Sequence, residues 1–400
     1  MNEVDTTAAR IAAGLIAGLA ASGRSAVPSF IVMDVMRAAA AKEATGARVI
    51  HMEVGQPSTP APQLARDAAK RAIDSQTLGY TQALGNDALR ARIAQFYLDT
   101  YGVRVAESRI VVTAGSSAAF VLAFLATLDP GSAMLLPNPS YPCYRHILAA
   151  LGNPSVLVET GPATRWMPEP EQVAAAAVAS RAKALLIASP ANPTGTMIEP
   201  DRLAALVAVC AQHGLWFVSD EIYHGLTYDR SAQTALAVSD DAIVINSFSK
   251  YFSMTGWRVG WMVVPERLVR PIEKLAQNFY ISPPAIAQVA ALAAFDAEVE
   301  LDANRARYAA NRAILLAELP EAGFTAFAPA DGAFYLYADI SDLTSDSLAF
   351  ARRMLEEIGV AATPGVDFDA ARGHQFLRFS YAGATADMAE AAQRLIAWKR

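Results

Sequence analysis

Ala242-Ile243-Val244-Ile245-Asn246-Ser247-Phe248-Ser249-Lys250 begins as an apolar run and ends on a lysine, with Arg258 eight residues further on in Gly256-Trp257-Arg258-Val259-Gly260. The apolar part reads as a buried strand. A lysine at a strand end has two outcomes. It can snorkel its ammonium into water, which is the commoner case, or be desolvated and become a usable amine nucleophile. Ser247, Ser249 and Arg258 beside it form an anion site, because hydroxyls and a guanidinium fork suit phosphate oxygens. The stretch alone leaves both outcomes open, and the surrounding pattern has to decide.

From about residue 110 to 265 short apolar runs alternate with Ala/Leu-rich helical segments. Strands are predicted at Ile110–Thr113, Ala133–Leu136, Ala184–Ala188, Trp216–Asp220, Ile243–Ser247 and Val259–Val264. Helices are predicted at Ser117–Leu128, Tyr141–Leu151, Glu169–Ala179 and Pro200–His213, with Gly- and Pro-containing turns between them. This alternation implies an α/β fold: a large, mostly parallel sheet sandwiched by helices, with ligands at the carboxyl ends of its strands. Past Pro283-Pro284 the character changes. A largely helical stretch from Ala285 to Leu319 precedes a strand at Ala333–Ala338, a helix at Ser347–Ile358 and a strand at Phe376–Ser380, which suggests a smaller α+β domain.

Composition narrows the function classes. At 400 residues, 53% hydrophobic and 18% charged, the chain is globular and long enough for a large core. A net charge of −6 without a basic block gives no support for nucleic-acid binding. Cys143 and Cys210 sit far apart without metal spacing, two cysteines cannot make a disulfide framework, and the five histidines show no metal-ligand spacing. Ile11–Ala21 imitates the apolar core of a signal peptide, but Glu3 and Asp5 make the preceding segment acidic. A packed amphipathic arm, a cytoplasmic protein and no membrane association are the expectations.

Four other places put polar groups where such a sheet would hold a ligand. Thr113-Ala114-Gly115-Ser116-Ser117 ends a strand and opens a helix, which suits phosphate, although an ordinary serine N-cap reads the same way. Asp220 ends an apolar strand, with Tyr223 three residues on; a carboxylate there can pair with a protonated ring nitrogen or simply cap a helix. Asn192, in Asn192-Pro193-Thr194-Gly195, can donate to a phenolate or belong to a plain turn. Tyr141, between Ser140 and Pro142, can lie against a heterocycle or pack in the core. Beyond these, Arg378 sits mid-strand among aromatics and needs a partner such as a substrate carboxylate. An amine beside a phosphate site suggests a pyridoxal-phosphate Schiff base.

Together these segments have the order and spacing of one family. The chain resembles the class I/II aminotransferases, fold-type I pyridoxal-phosphate-dependent enzymes. The resemblance is carried by Gly55-Gln56-Pro57, Tyr80-Thr81-Gln82-Ala83-Leu84-Gly85, Ala114-Gly115-Ser116-Ser117, Asn192-Pro193-Thr194-Gly195 and Asp220-Glu221-Ile222-Tyr223. It continues through Ser247-Phe248-Ser249-Lys250, Gly256-Trp257-Arg258-Val259-Gly260, Thr363-Pro364-Gly365 and Arg378-Phe379-Ser380. It implies that Lys250 carries the cofactor and shuttles the proton, that Asp220 pairs with the pyridine nitrogen, and that Asn192 and Tyr223 bond the phenolic oxygen. Ser116, Ser117, Ser247, Ser249 and Arg258 would hold the phosphate, Tyr141 would stack on the ring, and Arg378 with the backbone of Gly55 would bind the substrate carboxylate. Tyr80 would reach the phosphate of a neighbouring subunit, making a homodimer with shared sites.

The implied architecture is a large domain over 56–295 and a small domain formed by 1–55 plus 296–400. The implied activity is amino transfer from an L-amino acid to a 2-oxo acid by a ping-pong mechanism. A Cβ–S lyase or other Cα-deprotonating relative is the alternative. A non-catalytic pyridoxal-phosphate sensor is a distant one, because the roughly 50 residues before Gly55 are few and not basic for a DNA-binding domain. The amino donor is not readable, although the Phe30, Ile31, Phe334 and Tyr335 region could line an apolar pocket.

Overall fold

A computed structural model describes residues 20–398, so the arm expected over Ile11–Ala21 lies, up to residue 19, outside the described residues. Along the chain come β1 (Ile50–His51), β2 (Ile110–Thr113), β3 (Met134–Asn138), β4 (Ser155–Glu159) and β5 (Ala184–Ala188), then β6 (Trp216–Asp220), β7 (Ile243–Ser247) and β8 (Gly260–Val263). Strands β2 to β8 form one seven-stranded sheet in the order β2-β8-β7-β6-β5-β3-β4. The run from β4 to β7 is parallel, and β8 runs antiparallel to both of its neighbours.

Side-chain alternation explains why this sheet is covered on both sides. In β2, Val111 joins the core that contains Phe120 and Phe124 of the helix Ser116–Thr127, whereas Ile110 and Val112 join the core that contains Leu203 and Leu206 of the helix Pro200–His213. In β5, Leu186 and the pair Leu185 and Ile187 divide in the same way. A strand with period-two side chains and both faces buried must be apolar at every position, which is how these runs look in the sequence.

Several boundaries differ from the sequence reading, each for a local reason. The helix expected from Tyr141 starts at Pro142, because Tyr141 is extended (φ −60°, ψ 122°) and Pro142 takes the first helical position. The helix expected from Ser117 starts at Ser116, and its N-cap is Gly115 rather than a serine. β3 runs on through Pro137 to Asn138; its pairing with β5 stops at Leu135, so the missing N–H of Pro137 breaks no bond on that side. β4 was not anticipated. It is an edge strand, only partly buried, and leaves no strong pattern.

The C-terminal part adds β9 (Ala326–Phe327), β10 (Tyr335–Asp339), β11 (Val360–Ala361), β12 (Thr363–Pro364) and β13 (Phe376–Ser380). Four of these form an antiparallel sheet in the order β12-β13-β10-β9, and β11 pairs with β1. β10 starts later than expected because Ala330 and Ala333 hold left-handed backbone (φ 51° and 59°). The helical stretch after Pro284 is two helices, Ala285–Ala294 and Glu298–Glu318. Among the described residues no helix is long and apolar enough to cross a membrane.

Candidate active site

At the carboxyl edge of the large sheet nearly every strand hands a side chain to the same space. β2 leads to Ser116 and Ser117, β3 to Tyr141, β5 to Asn192, β6 to Asp220 and Tyr223, and β7 to Ser249 and Lys250. β8 runs the other way, so its first residue, Gly260, lies opposite Thr113 and Ser247, and Arg258 just before it reaches the same edge. With Gly55 and Arg378 these groups line a single cavity of about 210 Å³. A concave, mixed polar and apolar space of this kind suits a small molecule.

One end is built for an anion. Gly115, at φ 78°, caps the helix Ser116–Thr127, and a Cβ built on it would lie 2.5 Å from Nη2 of Arg258. Glycine therefore lets the guanidinium close on the helix start, where free N–H groups and the positive end of the dipole already favour negative charge. Arg258 is steadied by donating from Nη1 to the Thr255 carbonyl at 3.0 Å. Ser247 does not line the cavity. Its Oγ lies 2.8 Å from Oγ of Ser249 and donates to the Val259 carbonyl at 3.1 Å, so it reaches the site only through Ser249.

Deeper in, Asp220 is buried, accepting from Tyr144 at Oδ2 and from the Ile222 N–H at Oδ1 (3.1 Å). Burial pushes its carboxyl up to about 6, and the Tyr144 and Ile222 donors and the nearby Lys250 charge hold it from going further. Lys250 is shifted the other way, down to about 8, chiefly by burial and then by the positive charges of Arg378 and Arg258. Its Nζ donates to the Gly55 carbonyl at 2.6 Å. A buried amine partly neutral near pH 8 is a usable nucleophile.

Alternation in β13 sends Leu377 and Phe379 into the small-sheet core and turns Arg378 to the other face. There Nη1 donates to Oδ1 of Asn192 at 2.8 Å, and Nη2 donates to the Glu53 carbonyl and to Thr363. Its Nε is buried with no hydrogen-bond partner among the described residues, so one donor of the guanidinium is left unmet. The Arg378 bond uses the oxygen of Asn192, leaving its amide N–H₂ as the donor end. Tyr223 meets Tyr335 hydroxyl to hydroxyl at 2.6 Å.

Eleven of the residues singled out from sequence therefore line one cavity: Gly55, Ser116, Ser117, Tyr141, Asn192, Asp220, Tyr223, Ser249, Lys250, Arg258 and Arg378. Tyr80 is outside it and 84% exposed. Of the region expected to form an apolar pocket, Phe30 and Tyr335 line the cavity, with Val32 and Met33 beside Phe30; Ile31 and Phe334 do not. Phe334 is instead packed behind Tyr223, ring to ring at 5.5 Å. Tyr144 and the polar role of Tyr335 were missed, because each depends on which residue lies across from it in space.

A family model described as aminotransferase class I and II matches residues 47–395. The chain belongs to this family. It is 47% identical, over 94% of its length and 97% of the relative's, to valine–pyruvate aminotransferase of Mycobacterium tuberculosis (strain ATCC 25618 / H37Rv). Among solved structures it resembles an aminotransferase from Mycobacterium tuberculosis (46% identity, TM-score 0.93, covering 95% of this chain and 99% of that one). It also resembles an aspartate aminotransferase from Thermus thermophilus with maleate (30% identity, TM-score 0.89, covering 94% and 99%). The aminotransferase is accordingly a fold-type I, pyridoxal-phosphate-dependent transaminase acting on amino and 2-oxo acids. Its cavity fits that cofactor: an anion cradle that a Cβ at Gly115 would fill, an amine at Lys250 and a buried carboxylate at Asp220. The relatives give no support to the lyase or sensor alternatives.

Proposed function

We propose that this aminotransferase prefers an L-amino acid with an apolar side chain of valine size as donor and a small 2-oxo acid such as pyruvate as acceptor. One observation carries the reading: Arg258 and Arg378 are the only guanidinium groups of this chain lining the cavity, among the described residues. With Arg258 at the anion cradle and Arg378 for the α-carboxylate, no third one is left for a side-chain carboxylate. Phe30, Val32, Met33 and Ile222 add apolar lining to the same cavity. A relative named valine–pyruvate aminotransferase supports the same preference.

In this reading pyridoxal phosphate, when bound, supplies an electron sink for the charge left at the substrate Cα. Lys250 is the amine that holds the cofactor and then moves the proton between the substrate Cα and the cofactor C4′. Asp220 keeps the ring nitrogen protonated, and Tyr223 and Asn192 donate to the phenolic oxygen. Ser116, Ser117, Ser249 and Arg258 hold the phosphate, with Ser247 fixing Ser249, and Tyr141 covers the ring. Arg378 and the Gly55 backbone orient the substrate carboxylate. The large domain is assigned to 56–295, and the small one to 1–55 plus 296–400.

We further assign a homodimer with shared sites. Tyr80 is 84% exposed, Phe279 57% and Ile281 52%, and a hydrogen bond from the Thr81 N–H to Ser282 Oγ (3.3 Å) holds these segments side by side. An exposed apolar patch of this kind marks an interaction surface. A cytoplasmic location agrees with the two free cysteines. The donor preference is tested by single-turnover spectra: valine should bleach the cofactor band at least about tenfold faster than aspartate, since a buried, unpaired side-chain carboxylate costs several kcal/mol. Equal or faster reaction with aspartate would overturn it.

A further inference from the structure

We propose that Tyr335 is a positioning residue for two parts of the site at once: its hydroxyl donates to Tyr223 and turns the Tyr223 proton toward the cavity, while its ring face holds the guanidinium of Arg378. The inference rests on the roles proposed above for Tyr223 and Arg378.

The placement follows from strand register. β10 and β13 pair with Tyr337 opposite Arg378 and Tyr335 opposite Ser380, so Tyr335 is the diagonal neighbour of Arg378 on the same face. Cζ of Arg378 lies 4.3 Å from the centre of the Tyr335 ring, a cation–π contact out of bulk water, where such contacts are strongest. The hydroxyl end is fixed separately. A Cβ on Gly55 would fall 1.8 Å from it, so it rests against the backbone of the residue whose carbonyl receives Lys250.

The 2.6 Å contact between the two phenols is one hydrogen bond, so one hydroxyl donates and the other accepts. Tyr223 lines the cavity and has an acceptor to serve there only if its own proton is free. That requires Tyr335 to be the donor, and a donor bonded to the Tyr223 oxygen also strengthens what Tyr223 donates onward. Burial pushes both phenols above their ordinary range, so both keep their protons at working pH. The charged and titratable groups facing the pair are Arg378, Lys250 (5.9 Å from the Tyr223 ring centre), Tyr141, Tyr144 and, behind Tyr335, Tyr381.

The holoenzyme without substrate gives the readout: the pH at which its near-visible band converts, and the Kd for 3-methylbutanoate, a carboxylate that lacks the amino group. A weaker donor at the phenolic oxygen disfavours the deprotonated chromophore, so Tyr335→Phe should move the transition up by about 0.5–1 pH unit. The same variant keeps the ring, and its carboxylate affinity should stay within about twofold. Tyr335→Leu removes both contacts and should also weaken carboxylate binding by about tenfold; Tyr335→Met repeats this arm if the leucine variant does not fold. In a Tyr223→Phe background, Tyr335→Phe should add no further shift. If Tyr223→Phe itself leaves the band unmoved, the proposed role of Tyr223 fails. If Tyr223→Phe moves the band and Tyr335→Phe does not, the Tyr335 relay alone is overturned, and wild-type carboxylate affinity in the leucine or methionine variant overturns the Arg378 contact.

Discussion

Tyr144 donates its phenolic hydrogen to Oδ2 of Asp220, at the end of β6 and out of contact with solvent. The other oxygen, Oδ1, takes the Ile222 N–H at 3.1 Å. These two donors favour the carboxylate form against burial, which alone would drive the carboxyl higher than about 6. The ion pair assigned to the ring nitrogen needs that carboxylate charged.

Tyr144→Phe removes the donor to Oδ2 and should raise the Asp220 pKa, because the charged form loses its bond. The holoenzyme should then release pyridoxal phosphate on acidification at a higher pH than wild type. A hydrogen bond to a charged group corresponds to about one pH unit or more. Cofactor absorbance retained after gel filtration at stepped pH measures this. Release curves that superimpose would make Tyr144 a packing residue.

Asp220→Asn should act in opposite directions on stability and activity. The folded-state value of about 6 lies above the ordinary 3.8, so the native cofactor-free protein binds more protons than the unfolded chain between about pH 4 and 6. The contribution of this carboxyl therefore falls as pH rises through that window and stays at its least favourable above it. Removing the charge should stabilise the cofactor-free protein at pH 8 by roughly 1–3 kcal/mol and have little effect at pH 4. The loaded variant should lose most turnover. Thermal melts at both pH values and a transamination assay check the pair of outcomes, and near-wild-type turnover would reduce Asp220 to a cap.

Lys250 carries a positive neighbour in Arg378 that helps hold its amine near 8. Capture of pyridoxal phosphate by the cofactor-free protein should rise with pH, with a midpoint near 8, since only the neutral amine attacks. Arg378→Met removes a like charge, favours the ammonium and should move that midpoint up. Lys250→Ala should form no lysine-linked band at any pH. Stopped-flow absorbance reads all three proteins, and an unchanged midpoint in Arg378→Met would show that the Arg378 charge does not set the amine, leaving burial and Arg258.

The contrast between what could and could not be read from sequence has a physical basis. Strands buried on both faces are continuous apolar runs, so β2, β5, β6 and β7 were legible at their observed bounds. Residues at or just past the ends of such strands share one edge by topology, which is why Asn192, Asp220 and Lys250 are legible together in the sequence. Tyr144 sits in a helix at a position that looks like core, and only the tertiary packing of the chain brings its hydroxyl to Asp220. Tyr335 depends on the register between β10 and β13, strands about 40 residues apart in sequence. Two-residue strands such as β11 and β12 leave no periodicity at all.

Tyr80 tests the shared site. Its side chain is 84% exposed and outside the cavity of its own chain, so any contact with a cofactor phosphate has to be made in a second copy. Tyr80→Phe would then weaken the neighbour's site by one hydroxyl-to-phosphate bond, about 1–3 kcal/mol. Lys250→Ala disables only its own. In a mixed dimer the subunit that keeps its lysine receives an intact tyrosine from the Lys250→Ala partner, so one of the two sites is whole. Mixing the variants should restore up to about half of wild-type activity per dimer, by the symmetry of a two-fold assembly. Light scattering of the wild type should give a dimer mass. A monomer, or a mixture no more active than Tyr80→Phe alone, would leave each cavity complete within one chain and Tyr80 without a role in it.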